Sequence, residues 1–215
     1  MRALLIALTL SLTGLAARAG EPLAALETRV HWVALAHEIV AVDAVSRGER
    51  RAALGVGERV LGTWADGEIG VVHTSRRLLG VTTRSGGIHE LRFRVGEQLA
   101  GAPQLGDRVA LAFSAQRAFG FDGGSGNWVE ASLGPRERVL ASAVANRVAA
   151  LVTDRRALAV SPLRGGFFEA ALALQDAPLE LSATGDVATL RTRSRLLVYG
   201  AAQARWSERA LGLGN

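Results

Sequence analysis

The sequence predicts an all-β fold of five tandem four-stranded antiparallel units, and three observations carry that expectation. First, one segment recurs. Val71 to Val81 returns as Leu111 to Phe121, Ala150 to Val160 and Thr189 to Tyr199, each with apolar runs around an arginine. The anchors Arg77, Arg117, Arg156 and Arg195 are 40, 39 and 39 positions apart, and a degenerate copy, Ala36 to Val42, comes 39 residues earlier. Second, Glu90, Glu130, Glu169 and Glu208 each follow their anchor by 13 residues. Third, the apolar runs are short and separated by turn-forming residues, which favours strands over helices. Only the Ala-rich stretch 140–151 reads as helical, and its neighbours Val139, Val144, Val148 and Val152 are equally good strand residues.

The chain begins with Arg2 and an apolar run from Ala3 to Ala17, followed by the small-x-small site Ala17-Arg18-Ala19. This is the pattern of a secretory signal peptide, residues 1–19, cleaved after Ala19. An uncleaved anchor and a buried helix are the competing readings, but the run is shorter than the ~20 residues a bilayer span requires. No second apolar run of that length follows. The expectation is an exported protein of the bacterial periplasm or the exterior, with no membrane span after cleavage. A hydrophobic content of 49% excludes a disordered chain. The absence of cysteine excludes a disulfide scaffold, a thiolate zinc site, a cysteine nucleophile and a lipid anchor on cysteine.

Counting outward from the anchors gives repeats at 20–58, 59–98, 99–137, 138–176 and 177–215. They run from the expected cleavage site to the last residue, so a single domain is expected. In the second repeat, Arg59 to Trp64 reads as a strand and Ala65-Asp66-Gly67 as a turn tolerant of positive φ. Glu68 to Thr74 and Arg77 to Thr82 read as the next two strands. Ser85-Gly86-Gly87 is a second turn, and Ile88 to Val95 a fourth strand. The corresponding first turns of later repeats are Leu105-Gly106-Asp107, Ala145-Asn146 and Thr184-Gly185-Asp186.

Four short strands in about 40 residues is the size of one β-propeller blade. Residues 20–215 resemble β-propeller repeat proteins along their whole length, which implies a five-bladed propeller of four-stranded antiparallel blades. The Gly-His and Trp-Asp dipeptides of WD40 repeats are missing. Asp122-Gly123-Gly124-Ser125-Gly126-Asn127-Trp128 is similar to the Asp-box turn of sialidase-type blades, one residue too long and in one copy. The resemblance therefore implies a fold and no particular functional family.

In the degenerate copy the matching charges are exchanged, as Glu38 and Arg51. A simultaneous swap points to side chains that meet. The pairs Glu38–Arg51, Arg77–Glu90, Arg117–Glu130, Arg156–Glu169 and Arg195–Glu208 are expected to bridge two strands of a hairpin, each contributing roughly 0.2–1 kcal/mol. Thr74, Ser114, Thr153 and Thr192 put a hydroxyl at one register, read as a structural hydrogen bond near the pair, while Leu35 breaks the set. Ile88, Trp128, Phe167 and Trp206 share another register, read as blade-to-blade packing ahead of an aromatic ligand ring.

Charge and motif searches exclude more than they identify. The formal net charge is +5, all 25 basic residues are arginine, and Arg2 and Arg18 leave with the leader. Five further arginines are assigned to glutamates, so no dense basic cluster speaks for nucleic acid. His31, His37, His73 and His89 form no zinc motif, and a Gly-x-Ser-x-Gly elbow is missing. His73, at a register held elsewhere by Phe113 and Val152, reads as a partly buried strand residue. Gly86-Gly87, Gly123-Gly124 and Gly165-Gly166 sit in hairpin turns rather than before helices, so no phosphate cradle, cofactor or metal is expected. Breaks in a repeat are where ligand residues are sought. After the third strand the aligned residues are Asp43, Thr82, Asp122, Ser161 and Gly200. The first four are the candidate ligand-binding set, with ordinary polar turn chemistry as the alternative. The expected role is a binding or scaffold module for a protein, glycan or small ligand. A carbohydrate-active hydrolase or lyase using the carboxylates is the competing reading, and an open array closed by oligomerisation is a third.

Overall fold

The computed structural model describes residues 28–173 and 175–211, so the expected signal peptide, residues 1–19, and the outermost residues of the first and last repeats lie outside the described residues. Every regular element described is a strand, and the strands form five antiparallel sheets. Blade 2 is the template: Val60–Asp66, Ile69–Thr74, Arg77–Thr82 and Ile88–Arg92 pair in sequence order. Blade 3 has Gln104–Leu105, Val109–Phe113, Arg117–Asp122 and Asn127–Ser132. Blade 4 has Val139–Ala145, Val148–Thr153, Arg156–Ser161 and Arg164–Ala171. Blade 5 has Pro178–Thr184, Val187–Thr192, Arg195–Gly200 and Arg205–Ala210.

Blade 1 is three-stranded among the described residues, with Val30–Ala34, Glu38–Asp43 and Glu49–Ala53. These match the second, third and fourth strands of blade 2; the register of a first strand falls at residues outside those described. In blade 2 the fourth strand stops at Arg92, earlier than the apolar pattern suggests. Arg94 to Glu97 instead closes a turn, with the Glu97 amide on the Arg94 carbonyl and Gly96 at φ +76°.

The two middle strands of blades 2, 3 and 4 are buried almost throughout because a neighbouring blade covers each face. Trp32 and Ile39 of blade 1 pack on Val72 and Leu79 of blade 2. Val71 and Leu78 then meet Phe119 and Phe121 of blade 3. Leu111 continues onto Leu151 of blade 4, and Val148 onto Tyr199 of blade 5. Gly80 is required by this closeness, since a Cβ there would meet the Phe121 ring. Trp128 and Trp206 face the preceding blade, their indole N–H groups donating to the carbonyls of His89 and Phe168.

Each blade has two ends. At the turn end, a backbone hydrogen bond joins successive blades: Arg29 N–H to Gly67, Glu68 N–H to Asp107, Arg108 N–H to Asn146, and Arg147 N–H to Gly185. At the linker end, the chain crosses to the next blade. These features define a five-bladed antiparallel β-propeller architecture. The last blade differs on its outward face. Where blades 2 to 4 bury Val71, Leu111 and Ala150 against their successor, blade 5 has Thr189, flanked by exposed Val187 and Arg191. Exposed Ser182 and Thr184 lie beside them. Terminal units of stacked repeats need such a polar outer face.

Candidate functional site

The linker end is organised around the anchoring arginines. The Arg77 guanidinium donates from Nε to Glu58 at 2.9 Å and from Nη2 to the Ala53 carbonyl at 2.6 Å, while Nη1 engages Glu90. Arg117 repeats this with Glu97, Glu130 and the Arg92 carbonyl. Arg156 repeats it with Glu137 at 2.9 Å, Glu169 at 2.8 Å and the Ser132 carbonyl at 2.6 Å. Each arginine therefore ties the preceding blade, the linker and its own outer strand together. Arg77 and Glu90 are diagonal across the hairpin, since Glu90 lies opposite Leu79 and Arg77 opposite Arg92. Both side chains are long enough to span that offset.

The linker acids Glu58, Glu97, Glu137 and Asp176 escaped the sequence reading, although their spacing of 39, 40 and 39 was available. They are the buried half of the clamp, whereas Glu90, Glu130, Glu169 and Glu208 are between 39% and 63% exposed. The recurring hydroxyls serve the same acids: Thr74 donates to Glu58, Ser114 to Glu97 and Thr153 to Glu137. Burial alone would raise the Glu97 pKa. Hydrogen bonds from Arg117, the Arg94 amide and Ser114, with the Arg117 charge, reverse this and hold it at about 2. Asp176 is one methylene shorter and engages Arg195 through Nη2 alone, so among the described residues the buried Arg195 Nε has no partner. In blade 1 the position matching Glu58 is Ala19, the hydroxyl position is Leu35, and the anchor is Glu38. The two parts within the described residues, the hydroxyl and the arginine, are replaced together. What remains is Arg51 on Glu38 at 2.9 Å, a pair whose signs are free to exchange.

The four candidate ligand residues sit at the opposite, turn end. Asp43 accepts the amides of Val45 and Ser46 and the Ser46 hydroxyl, and Asp122 does the same with Gly124 and Ser125. Burial pushes the Asp43 carboxyl up, but these bonds and Arg50 outweigh it and the net shift is downward. Thr82 donates to the Gly123 carbonyl and Ser161 to the Ala201 carbonyl, each stitching a blade to its successor. The carboxylates thus shape their own turns and the hydroxyls fasten blades. Asp122 also borders a cleft of about 570 Å³ beside Arg84, Arg108 and Arg147. Those arginines are already engaged, Arg84 and Arg108 on Glu68 and Arg147 on Asp186.

A larger cleft, about 750 Å³, lies at the linker end between linkers 54–58 and 93–98. Phe93 contributes its apolar wall, braced edge-on by His73 at 5.5 Å. His73 is half-buried, and burial lowers its pKa. Arg76, Arg92 and Arg94 line the cleft and are exposed, and Arg92 also pairs with the exposed Glu90 at 3.0 Å. Its acids, Glu58 and Glu97, are consumed by Arg77 and Arg117. Arg92 and Arg94 are breaks in the repeat. The residues matching Arg92 are Ala53, Ser132, Ala171 and Ala210; those matching Arg94 are Gly55, Gly134 and Ala173. A search for what recurs passes over them; their signal is charge where other blades keep small residues. Among the described residues no cluster of three or more His, Asp or Glu is placed to hold a metal, and no helix is long and apolar enough to cross a membrane.

The fold and this site define an antiparallel β-propeller with a cationic cleft at its linker end. No protein-family model and no curated protein matches the chain. Similar solved structures are β-propellers at low identity. Human WBSCR16 is 12% identical, with 66% of this chain and 47% of that one covered and a TM-score of 0.40. Prp20p from Saccharomyces cerevisiae is 11% identical, covering 83% and 58%, TM-score 0.38, and its description includes binding properties to Gsp1p and histones. BamB from Moraxella catarrhalis is 13% identical, covering 86% and 74%, TM-score 0.35. The chain spans about half the length of WBSCR16. The likeness is one of fold.

Proposed function

We propose that the protein is an exported binding module whose ligand carries negative charge and docks in the cleft lined by Arg76, Arg92 and Arg94. The leader pattern of residues 1–19 supports export. The observation that carries the ligand reading is the placement of Arg92 and Arg94, two exposed guanidinium groups at registers otherwise held by small residues, with Arg92 sharing the exposed Glu90 and the buried cleft acids already neutralised. Arginine forks suit carboxylate, sulfate and phosphate groups, and the Phe93 ring offers an apolar surface beside them. In this reading Asp43, Thr82, Asp122 and Ser161 serve architecture rather than the ligand. The test is titration with a soluble acidic glycan, polygalacturonate, at low salt. Arg92→Ala/Arg94→Ala should weaken binding tenfold or more, while Arg164→Ala, an exposed arginine in the blade 4 hairpin, should not. Equal affinities across the three proteins would remove the reading.

A further inference from the structure

Val56 is 95% exposed and Val95 107% exposed. They occupy the same position in successive linker turns, and the third turn has exposed Pro135 there. The turns themselves are set by other groups: the Gly55, Arg94 and Gly134 amides donate to Glu58, Glu97 and Glu137. An apolar tip is thus not needed for the turn to form, yet it recurs. Three residues beyond the linker acids, Leu61, Leu140 and Leu179 are 55%, 51% and 53% exposed. They mark the register shifts in the first strands of blades 2, 4 and 5. Isolated exposed apolar residues are ordinary, but a repeated row at one end is not.

Exposed arginines are interleaved with these tips. Arg76 donates to the Val56 carbonyl and Arg155 to the Pro135 carbonyl, which holds each guanidinium beside an apolar prong. Arg94 and Arg136 adjoin the prongs in sequence, and Arg59 follows Glu58. The linker acids lie buried beneath, and Glu90, Glu130 and Glu169 are turned onto the clamp arginines. Asp154, at this end, faces Arg138. Apolar prongs rising through a cationic layer match the interface of an anionic bilayer, where short apolar side chains enter the headgroup boundary and arginines meet phosphates.

We infer that the linker end docks on an anionic lipid surface, with Val56, Val95 and Pro135 entering the interface and the cleft arginines holding lipid phosphate. This rests on the anion-binding reading of the cleft and names what presents the anion.

The experiment is co-sedimentation with vesicles of phosphatidylcholine containing 30% phosphatidylglycerol, and with phosphatidylcholine alone. The purified protein, Val56→Ser/Val95→Ser and Arg92→Ala/Arg94→Ala are compared in one background, so the N-terminal residues contribute equally to all three; serine removes the apolar tip without adding charge beside the cleft arginines. The valines are exposed at turn tips, so their substitution leaves the fold intact. The expected result is selective binding to the anionic vesicles, reduced at least tenfold by either variant and weakened by salt. The valine variant should bind polygalacturonate like the wild type. Vesicle binding indifferent to the valine change, with polygalacturonate binding retained, overturns the lipid inference and leaves the anion cleft standing. Loss of both ligands' dependence on Arg92 and Arg94 overturns both.

Discussion

Removing the Arg117 guanidinium tests the clamp most sharply, because Glu97 beneath it has a side chain only 1% exposed. The gap between the usual 4.5 and about 2 for Glu97 corresponds to about 3 kcal/mol of stability at neutral pH. Its folded pKa lies below its unfolded one. The contribution is therefore complete above about pH 4.5 and disappears as pH falls toward 2. Arg117→Met keeps the aliphatic stem but leaves Glu97 buried with Ser114 and the Arg94 amide as its remaining donors. Breaking a buried pair from one side costs about 3–5 kcal/mol. Urea unfolding followed by tryptophan fluorescence should show that loss at pH 7. It should also show a changed pH slope: an orphaned Glu97 has its pKa raised, so the deficit of the variant against wild type shrinks below pH 5. Arg117→Met/Glu97→Gln should be more stable than Arg117→Met alone, since the uncompensated charge is gone. A loss below about 1 kcal/mol with an unchanged pH slope would refute the clamp as a stabilising element.

Four further expectations come from the same structure. Glu169→Ala should cost less than about 1 kcal/mol, as an exposed partner, whereas Glu137→Ala should cost several times more in the same unfolding assay. The double charge reversal Arg156→Glu/Glu169→Arg should not be rescued, because it sets a glutamate against Glu137. Asp176→Glu should stabilise by about 1 kcal/mol by giving the Arg195 Nε an acceptor, read as a raised urea midpoint. His73→Phe, the residue blade 3 carries at that register, should gain stability over wild type as pH falls below about 6.5, where the unfolded chain protonates His73 and the buried ring resists it; an unchanged difference between pH 8 and pH 5 would count against that burial.

The architecture was legible because it repeats. The 39- and 40-residue spacing located every third strand, and the exchanged Glu38 and Arg51 identified the outer ion pair. The inner half of the clamp was not legible from that pair alone. Its acids lie in linkers, where turn composition varies: Gly57 and Gly96 keep positive φ, and Arg136 adopts φ +64° in their place. In blade 1 the hydroxyl and the anchoring arginine are both replaced, by Leu35 and Glu38. The candidate residues at the turn end are each engaged in the architecture. Polar residues after a strand satisfy their own turn at short range, as Asp122 does with Gly124 and Ser125. The cationic cleft needs two linkers side by side, a proximity that only blade stacking creates.

The central claim is that function resides where the repeat is broken, at Arg92 and Arg94. Isothermal titration of polygalacturonate into wild type and Arg92→Ala/Arg94→Ala tests it most directly. The account predicts a tenfold or greater loss of affinity, with unfolding midpoints unchanged because both side chains are exposed. Equal affinity in the two proteins would contradict it.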